Sequence, residues 1–285
     1  MQQKGIHWFP GHMQKAIRQI EERIKLIDVV VEVVDSRCPL SSKNQYLEKI
    51  TQNKKRVIVF SKKDLTSLEE LKLFEDYYLK NGYYPVVCDL NNPGDINKIK
   101  KAIALQGKDI TDKYVRRGMK PQPLRAMIIG IPNVGKSTLI NRLSKSSSMS
   151  VANTPGHTRS QQWIKVDKTL ELLDTPGILP PSYEDKITAI HLALIGAMKI
   201  ENISESELSD YLFSLLKEKY SSFLIERYSL NEDSLVSKEA LFEGIAKRRG
   251  LLLPQNELDT SKAELLFLKE FKEGLIVKLV LDTLC

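Results

Sequence analysis

Cysteine is scarce in this chain: Cys38, Cys88 and Cys285 are odd in number and form no CxxC pair. That excludes both a disulfide framework and a zinc site, and the three read as reduced, structural residues. Long apolar runs are also missing. The longest, Val29–Val31 with Val33–Val34, is interrupted by Glu32 and falls far short of the ~20 residues that cross a bilayer. Met1–Pro10 lacks the apolar stretch of a cleavable signal, and no internal repeat or low-complexity tract is present. A cytoplasmic protein without membrane contact is expected.

What is present suits a soluble globular protein. At 285 residues the chain is long enough for two domains, and 42% hydrophobic with 28% charged residues is ordinary for such a fold. The net charge of +7 is unevenly spread. Met1–Arg125 carry 24 basic and 15 acidic residues, Ala126–Asp185 carry 6 and 5, and Lys186–Cys285 carry 13 and 16. A basic surplus in the N-terminal part suits a polyanionic partner, although solubility alone would also explain it.

Six short β-branched runs bounded by breakers read as strands: Asp28–Val34, Val57–Phe60, Tyr84–Cys88, Leu124–Ile129, Trp163–Val166 and Leu170–Leu173. Helical patterns at Ser41–Thr51, Ser67–Asn81 and Asp95–Leu105 alternate with the early ones, which predicts a mostly parallel sheet covered by helices. Gly107–Pro123 is polar, basic and punctuated by Gly and Pro, and reads as a connector. After Asp185 the strand signal stops. Ile187–Lys199, Ser204–Tyr220, Ser221–Tyr228, Ser237–Arg249 and Ser261–Lys278 predict an all-helical second domain over 186–285, with Gly250 just past one helix end.

Gly130-Ile131-Pro132-Asn133-Val134-Gly135-Lys136-Ser137 fits GxxxxGK[ST] between the strand Leu124–Ile129 and the helical Thr138–Ser144. Such a loop turns backbone N–H groups toward phosphate oxygens. Lys136 then bridges the β- and γ-phosphates, and the Ser137 hydroxyl ligates Mg²⁺. Val134, Gly135 and Thr138 complete the expected phosphate contacts. Asp174-Thr175-Pro176-Gly177 ends the last strand; Asp174 can hold Mg²⁺ through water and the Gly177 N–H can meet a γ-phosphate. Thr158, in the loop Thr154-Pro155-Gly156-His157-Thr158, is the candidate switch ligand of Mg²⁺, with Thr154 as its rival.

Ser61-Lys62-Lys63-Asp64 follows the strand Val57–Phe60 with a KxD pattern. Asp64 can accept from the guanine N1–H and exocyclic amine while Lys62 lays its aliphatic stem on the base. A solvated helix start capped by Asp64 is the plainer alternative. An ordinary Ras-like GTPase runs cradle, switches, reader. Here the reader precedes the cradle, so the expected fold is a circularly permuted Ras-like P-loop GTPase domain over 1–185, its original ends joined through 107–123.

With this order, and with the N-terminal Trp8-Phe9-Pro10-Gly11-His12-Met13, the chain resembles the circularly permuted GTPases of the YlqF/RbgA ribosome biogenesis family. The resemblance implies a GTP-hydrolysing assembly factor for the bacterial large ribosomal subunit, binding GTP and GDP, expected as a monomer, with the helical domain contacting ribosomal RNA. Two positions depart from the family pattern. Ser61 stands where the reader normally begins with Asn, and Asp89–Leu90 stand where a small Ser-containing turn supports the base. Ile178 occupies the place of a water-orienting glutamine in many relatives of the fold, and an aliphatic group cannot orient water. The resemblance points to His12 as the residue that supplies this function; on residues alone His12 could simply cap the helix Met13–Ile27, and His7 is the nearer rival. Asn133 resembles the asparagine of potassium-activated GTPases, or it stabilises its loop. For RNA, Lys247-Arg248-Arg249 is the best local cluster, though cations before Gly250 also complement a helix dipole. Lys113 to Lys120, with Arg116 and Arg117, is either a solvated connector or a phosphate contact. A non-enzymatic RNA-binding scaffold with a GTP-sensitive shape is the competing function, and Ile178 and Ser61 favour it; a P-loop ATPase or kinase is weakened by Asp64 and the DTPG turn.

Overall fold

The computed structural model of the chain describes residues 6–7, 11–145, 163–180, 182–183, 185–197 and 203–284. The strands are β1 (Ile6–His7), β2 (Val29–Asp35), β3 (Lys55–Ser61), β4 (Tyr84–Val87), β5 (Leu124–Ile129), β6 (Trp163–Lys165), β7 (Leu170–Asp174) and β8 (Ser182–Tyr183). The helices of the first unit are α1 (Gly11–Arg23), α2 (Gln45–Thr51), α3 (Leu68–Lys80), α4 (Pro93–Gln106), α5 (Lys108–Arg116) and α6 (Lys136–Lys145). α7 (Lys186–Leu194), α8 (Glu205–Lys219), α9 (Ser221–Tyr228), α10 (Lys238–Arg249) and α11 (Thr260–Lys272) follow. The packing divides the chain into two compact units, Met1–Asp185 with Val280–Cys285, and Lys186–Leu279. Among the described residues no helix is long and apolar enough to cross a membrane.

The main sheet has the order β4-β3-β2-β5-β7-β6. Every neighbouring pair is parallel except β6 with β7. β2 reads Val-Val-Val-Glu-Val-Val-Asp and is buried along its whole length, as a strand with partners on both sides and helices on both faces must be. The order displays the permutation directly. The three strands before the connector form one half of the sheet, the three after it form the other, and β2 meets the cradle strand β5 at the seam. The sequence expectation of a permuted, mostly parallel six-stranded sheet followed by a helical unit is met.

The connector 107–123 joins the two halves of the sheet as expected, with α5 formed inside it, and two helix bounds need correction. Ile110 and Tyr114 lie on one partly buried helical face, Asp109 stands in the first turn and Lys113 with Arg116 in the last, complementing the helix dipole. The helix expected over Ser41–Thr51 begins only at Gln45. Asn44 caps it by accepting from the Tyr46 and Leu47 N–H groups. The helix expected over Ser261–Lys278 ends at Lys272, and Gly274 follows in the left-handed conformation. The last residues then rejoin the first unit. Elsewhere the expected caps form: Ser67, Ser204 and Ser237 each accept a backbone N–H of their own helix.

Candidate functional site

The cradle lies at the carboxyl end of β5 and runs into α6. Its backbone is set by Asn133 at φ 60° and Gly135 at φ 102°. A Cβ on Gly135 would lie 2.8 Å from Leu90 Cδ1, so only glycine serves there. Lys136 is buried, and its Nζ donates to the Ile131 carbonyl at 2.7 Å. Burial pushes the Lys136 ammonium down to about 8, partly offset by the charge of Asp174. Ser137 and Thr138 are exposed at the start of α6, while Val134 is buried.

The Asp174-Thr175-Pro176-Gly177 turn closes on the cradle. Thr175 Oγ1 donates to the Ile128 carbonyl at 2.5 Å, and the Ile178 N–H donates to the Gly130 carbonyl at 3.3 Å. A Cβ on Gly177 would stand 2.9 Å from the Pro132 backbone and 3.0 Å from Lys136 Nζ. A side chain at position 177 would therefore crowd the cradle backbone and the lysine. A serine hydroxyl and a carboxylate form a hard oxygen donor set that fits Mg²⁺. Among the described residues no group of three His, Cys, Asp or Glu could hold a metal, and an ion carried largely by nucleotide phosphates needs none. Thr154 and Thr158 lie outside the described residues.

The reader adjoins the cradle. Ser61 is fully buried, and its hydroxyl lies 2.6 Å from the Val134 carbonyl and 3.0 Å from the Val34 carbonyl, tying β3 to the phosphate loop. Lys62 adopts φ 60°, a left-handed conformation that costs a non-glycine residue roughly 1 kcal/mol. Its Nζ is held by Asp35 Oδ2 at 2.8 Å. Asp64 is exposed at the turn, and Asp89 and Leu90 follow β4 nearby, with Leu90 against Gly135.

Two residues not singled out by the sequence pattern build this side of the site. Asp35, fully buried at the end of β2, accepts from Arg37 Nε at 2.9 Å and Nη2 at 2.8 Å as well as from Lys62. Burial alone would raise its carboxyl, but hydrogen bonds and charge from Arg37 and Lys62 outweigh it and leave the group below its ordinary range. Asp95 in α4 pairs with Lys63 of the reader and accepts the Asp89 N–H at 3.0 Å, so one carboxylate joins both base-side loops. Burial opposes its ionisation, yet hydrogen bonds from Lys63, Lys98 and the Asp89 N–H bring it down to about 2. The only sequence signal for Asp35 was a carboxylate at a strand's carboxyl end. Asp95 gave none, since it reads as an ordinary first-turn acid.

Ile178 is 1% exposed and packs into the cluster that holds Ala16, Ile17 and Ile20 of α1. Its side chain thus anchors the N-terminal helix, and its carbonyl accepts from Asn44 Nδ2 at 2.7 Å. His12 is the second residue of α1; its side chain, like that of His7, lies outside the described residues, as do Trp8–Pro10. In the helical unit Lys247, Arg248 and Arg249 are all exposed at the end of α10, but Arg249 Nη2 lies 3.5 Å from Glu270 Oε1 and its guanidinium stacks over Tyr228. Arg249 is therefore partly engaged within its own unit.

Comparison with known proteins agrees with this geometry. A family model described as 50S ribosome-binding GTPase matches residues 125–234. It begins on the cradle strand, as a model in unpermuted order must, and leaves the reader outside. Ribosome biogenesis GTPase A of Bacillus cereus is 40% identical over 280 residues, spanning 98% of this chain and 94% of that protein. Mitochondrial ribosome-associated GTPase 1 of Xenopus tropicalis is 32% identical over 86% of this chain and 80% of that protein. The solved structure of GNP-bound YlqF from Thermotoga maritima shares the fold, with a TM-score of 0.65 at 24% identity, covering 94% of this chain and 97% of that one. A permuted sheet with a P-loop at its centre, and this identity running through both units, mean that the chain belongs to the ribosome biogenesis GTPase A family.

Proposed function

We propose that the protein hydrolyses GTP on the maturing large ribosomal subunit, as a cytoplasmic monomer whose residues 1–185 carry the nucleotide and whose residues 186–285 contact ribosomal RNA. As a member of its family the protein is a GTPase with a role in ribosome biogenesis. The observation that carries the reading is the approach of the Gly177 backbone to Lys136 across the cradle. The DTPG turn lies against the lysine that would meet the terminal phosphates, where its backbone could register a γ-phosphate.

The remaining roles follow from chemistry. Lys136 and the cradle N–H groups bind the β- and γ-phosphates, and Asp64 selects guanine. Ser137, Thr158 and, through water, Asp174 hold Mg²⁺, which when bound offsets phosphate charge. Asn133, exposed and left-handed at the cradle turn, supports a K⁺ ion beside the phosphates. Because Ile178 is buried against α1, the residue after DTPG cannot face the attacking water. His12, in the first turn of that same helix, accepts a hydrogen bond from the water through a neutral ring nitrogen. Exposed Lys247 and Arg248 are the better RNA contacts of their cluster.

The test is single-turnover hydrolysis with and without large-subunit particles. His12→Ala should leave GTP and particle binding intact while removing most of a particle stimulation of about 10³–10⁵. Unchanged stimulated turnover would make the histidine structural. No stimulation in the unsubstituted protein would favour the scaffold reading. Replacing potassium by sodium tests Asn133.

A further inference from the structure

The carboxyl-terminal tail leaves the helical unit after Leu279 and is built into the GTPase unit at residues Val280–Cys285. Its grip is specific. The Asp282 carboxylate, 8% exposed, accepts the Leu40 N–H at 2.6 Å, the Ser41 N–H at 2.9 Å and the Ser41 hydroxyl. The Leu281 N–H donates to the Arg37 carbonyl at 2.6 Å, and the Val280 N–H donates to Glu70 Oε2 at 2.6 Å. A surface tail that only needed covering would not require a buried carboxylate satisfying two backbone N–H groups and a hydroxyl.

The loop so held is the one that begins at the end of β2 and carries Arg37. Arg37 is fastened at its carbonyl by the tail, and with its N–H and guanidinium it fastens Asp35. The Asp35 N–H donates to Ser42 Oγ at 3.0 Å, closing the loop on itself. Asp35 in turn holds Lys62 Nζ at 2.8 Å, and Lys62 keeps a left-handed backbone next to Asp64. Three consecutive contacts therefore run from the tail to the reader, Leu281 to Arg37, Arg37 to Asp35 and Asp35 to Lys62, all through buried residues until Lys62 is reached.

From this chain we infer that the carboxyl-terminal tail is part of the guanine site: Asp282 is a positioning residue that, through the loop of Arg37 and the carboxylate of Asp35, holds the Lys62–Asp64 turn in its base-reading conformation. The inference rests on Asp64 as the guanine reader. The strained Lys62 backbone persists only while its surroundings over-determine it, and the tail supplies the outermost of those constraints. The tail follows the helical unit directly in the chain.

The experiment compares GDP and IDP in the full-length protein, since inosine lacks the exocyclic amine that Asp64 reads. Release rates and affinities are measured with Asp282→Ala, Asp282→Asn and Glu70→Gln, alongside melting temperatures. Asp282→Ala should speed GDP release about tenfold and erode the preference for GDP over IDP, with IDP affinity changing less. Asp282→Asn, which keeps a carbonyl acceptor, and Glu70→Gln, which removes the charge from the bond to the Val280 N–H, should show the same pattern more weakly. Lower melting temperatures with the GDP-to-IDP ratio unchanged would overturn the inference and leave the tail a structural strap. If Asp282→Ala does not fold, the ratio in the other two variants decides. An unsubstituted protein indifferent to the exocyclic amine overturns the base-reading assignment, and the inference with it; a discriminating protein with equally discriminating variants overturns the inference alone.

Discussion

The cradle and the reader adjoin each other at the carboxyl ends of β5 and β3, and they are held in different ways. The cradle is a run of eight consecutive residues, and its lysine is held by a carbonyl five positions before it. The reader turn is held from afar: Ser61 meets the Val134 carbonyl 73 residues on, Lys62 meets Asp35 27 residues back, and Lys63 meets Asp95 32 residues on. A phosphate loop is a backbone object, so its residues must be contiguous. A base reader is a side-chain object, and its supports can come from any part of the chain that the fold brings near. That difference explains why permutation is tolerable here. A cut between β7 and β2 moves the reader ahead of the cradle and breaks no contact that either one uses.

The largest expected effect breaks the cradle. Lys136→Ala should weaken GTP and GDP on the order of 100-fold or more by calorimetry, through lost charge-assisted contacts to phosphate. Retained micromolar binding of both would show that the loop does not use its lysine. Breaking the reader should cost less and change the selectivity. Asp64→Asn removes two charge-assisted hydrogen bonds of about 1.5–3 kcal/mol each, part of which xanthine nucleotides restore, so preference should move from guanine to xanthine. Equal binding of GTP and ATP before any substitution would remove Asp64 from the site.

Asp95 sharpens the contrast, because it supports the reader and leaves the cradle alone. Its carboxyl is depressed to about 2, below the ordinary value of 3.8, so its contribution is present above pH ~4 and is lost as pH falls toward 2. Asp95→Ala should cost on the order of 2 kcal/mol of stability at pH 7 and little near pH 2. A stability difference that does not shrink on acidification would contradict this account of the residue. For Lys136 the direction is reversed. The ammonium sits near 8, so affinity for GDP should decline as pH rises above that value, by up to about tenfold per unit until the nucleotide-bound lysine also titrates. A flat profile between pH 7.5 and 9 would show that burial does not lower the Lys136 ammonium into that range. The smallest effect is expected from Ser61→Ala, which severs the bond between reader and cradle: about 1 kcal/mol of stability and a few-fold faster GDP release. No change in release would mean that the two loops are aligned by the sheet alone.

The sequence by itself determined the strands and most helices, the motif order that betrays the permutation, and the cradle. Each of these is written in neighbouring residues: β-branched runs bounded by breakers, a Ser or Asn before a helix, a glycine at a turn. Tertiary structure decided the rest. The connector carries a helix on which Ile110 and Tyr114 are partly buried, and the last helix stopped at Lys272, where Glu273 and the left-handed Gly274 end it. Ile178, legible only as a missing glutamine, turned out to be the apolar anchor of α1. The roles of Asp35, Asp95 and Asp282 rest on partners that folding places around them, and each carboxylate draws at least one from afar: Lys62 is 27 residues from Asp35, Lys63 is 32 from Asp95 and Leu40 is 242 from Asp282.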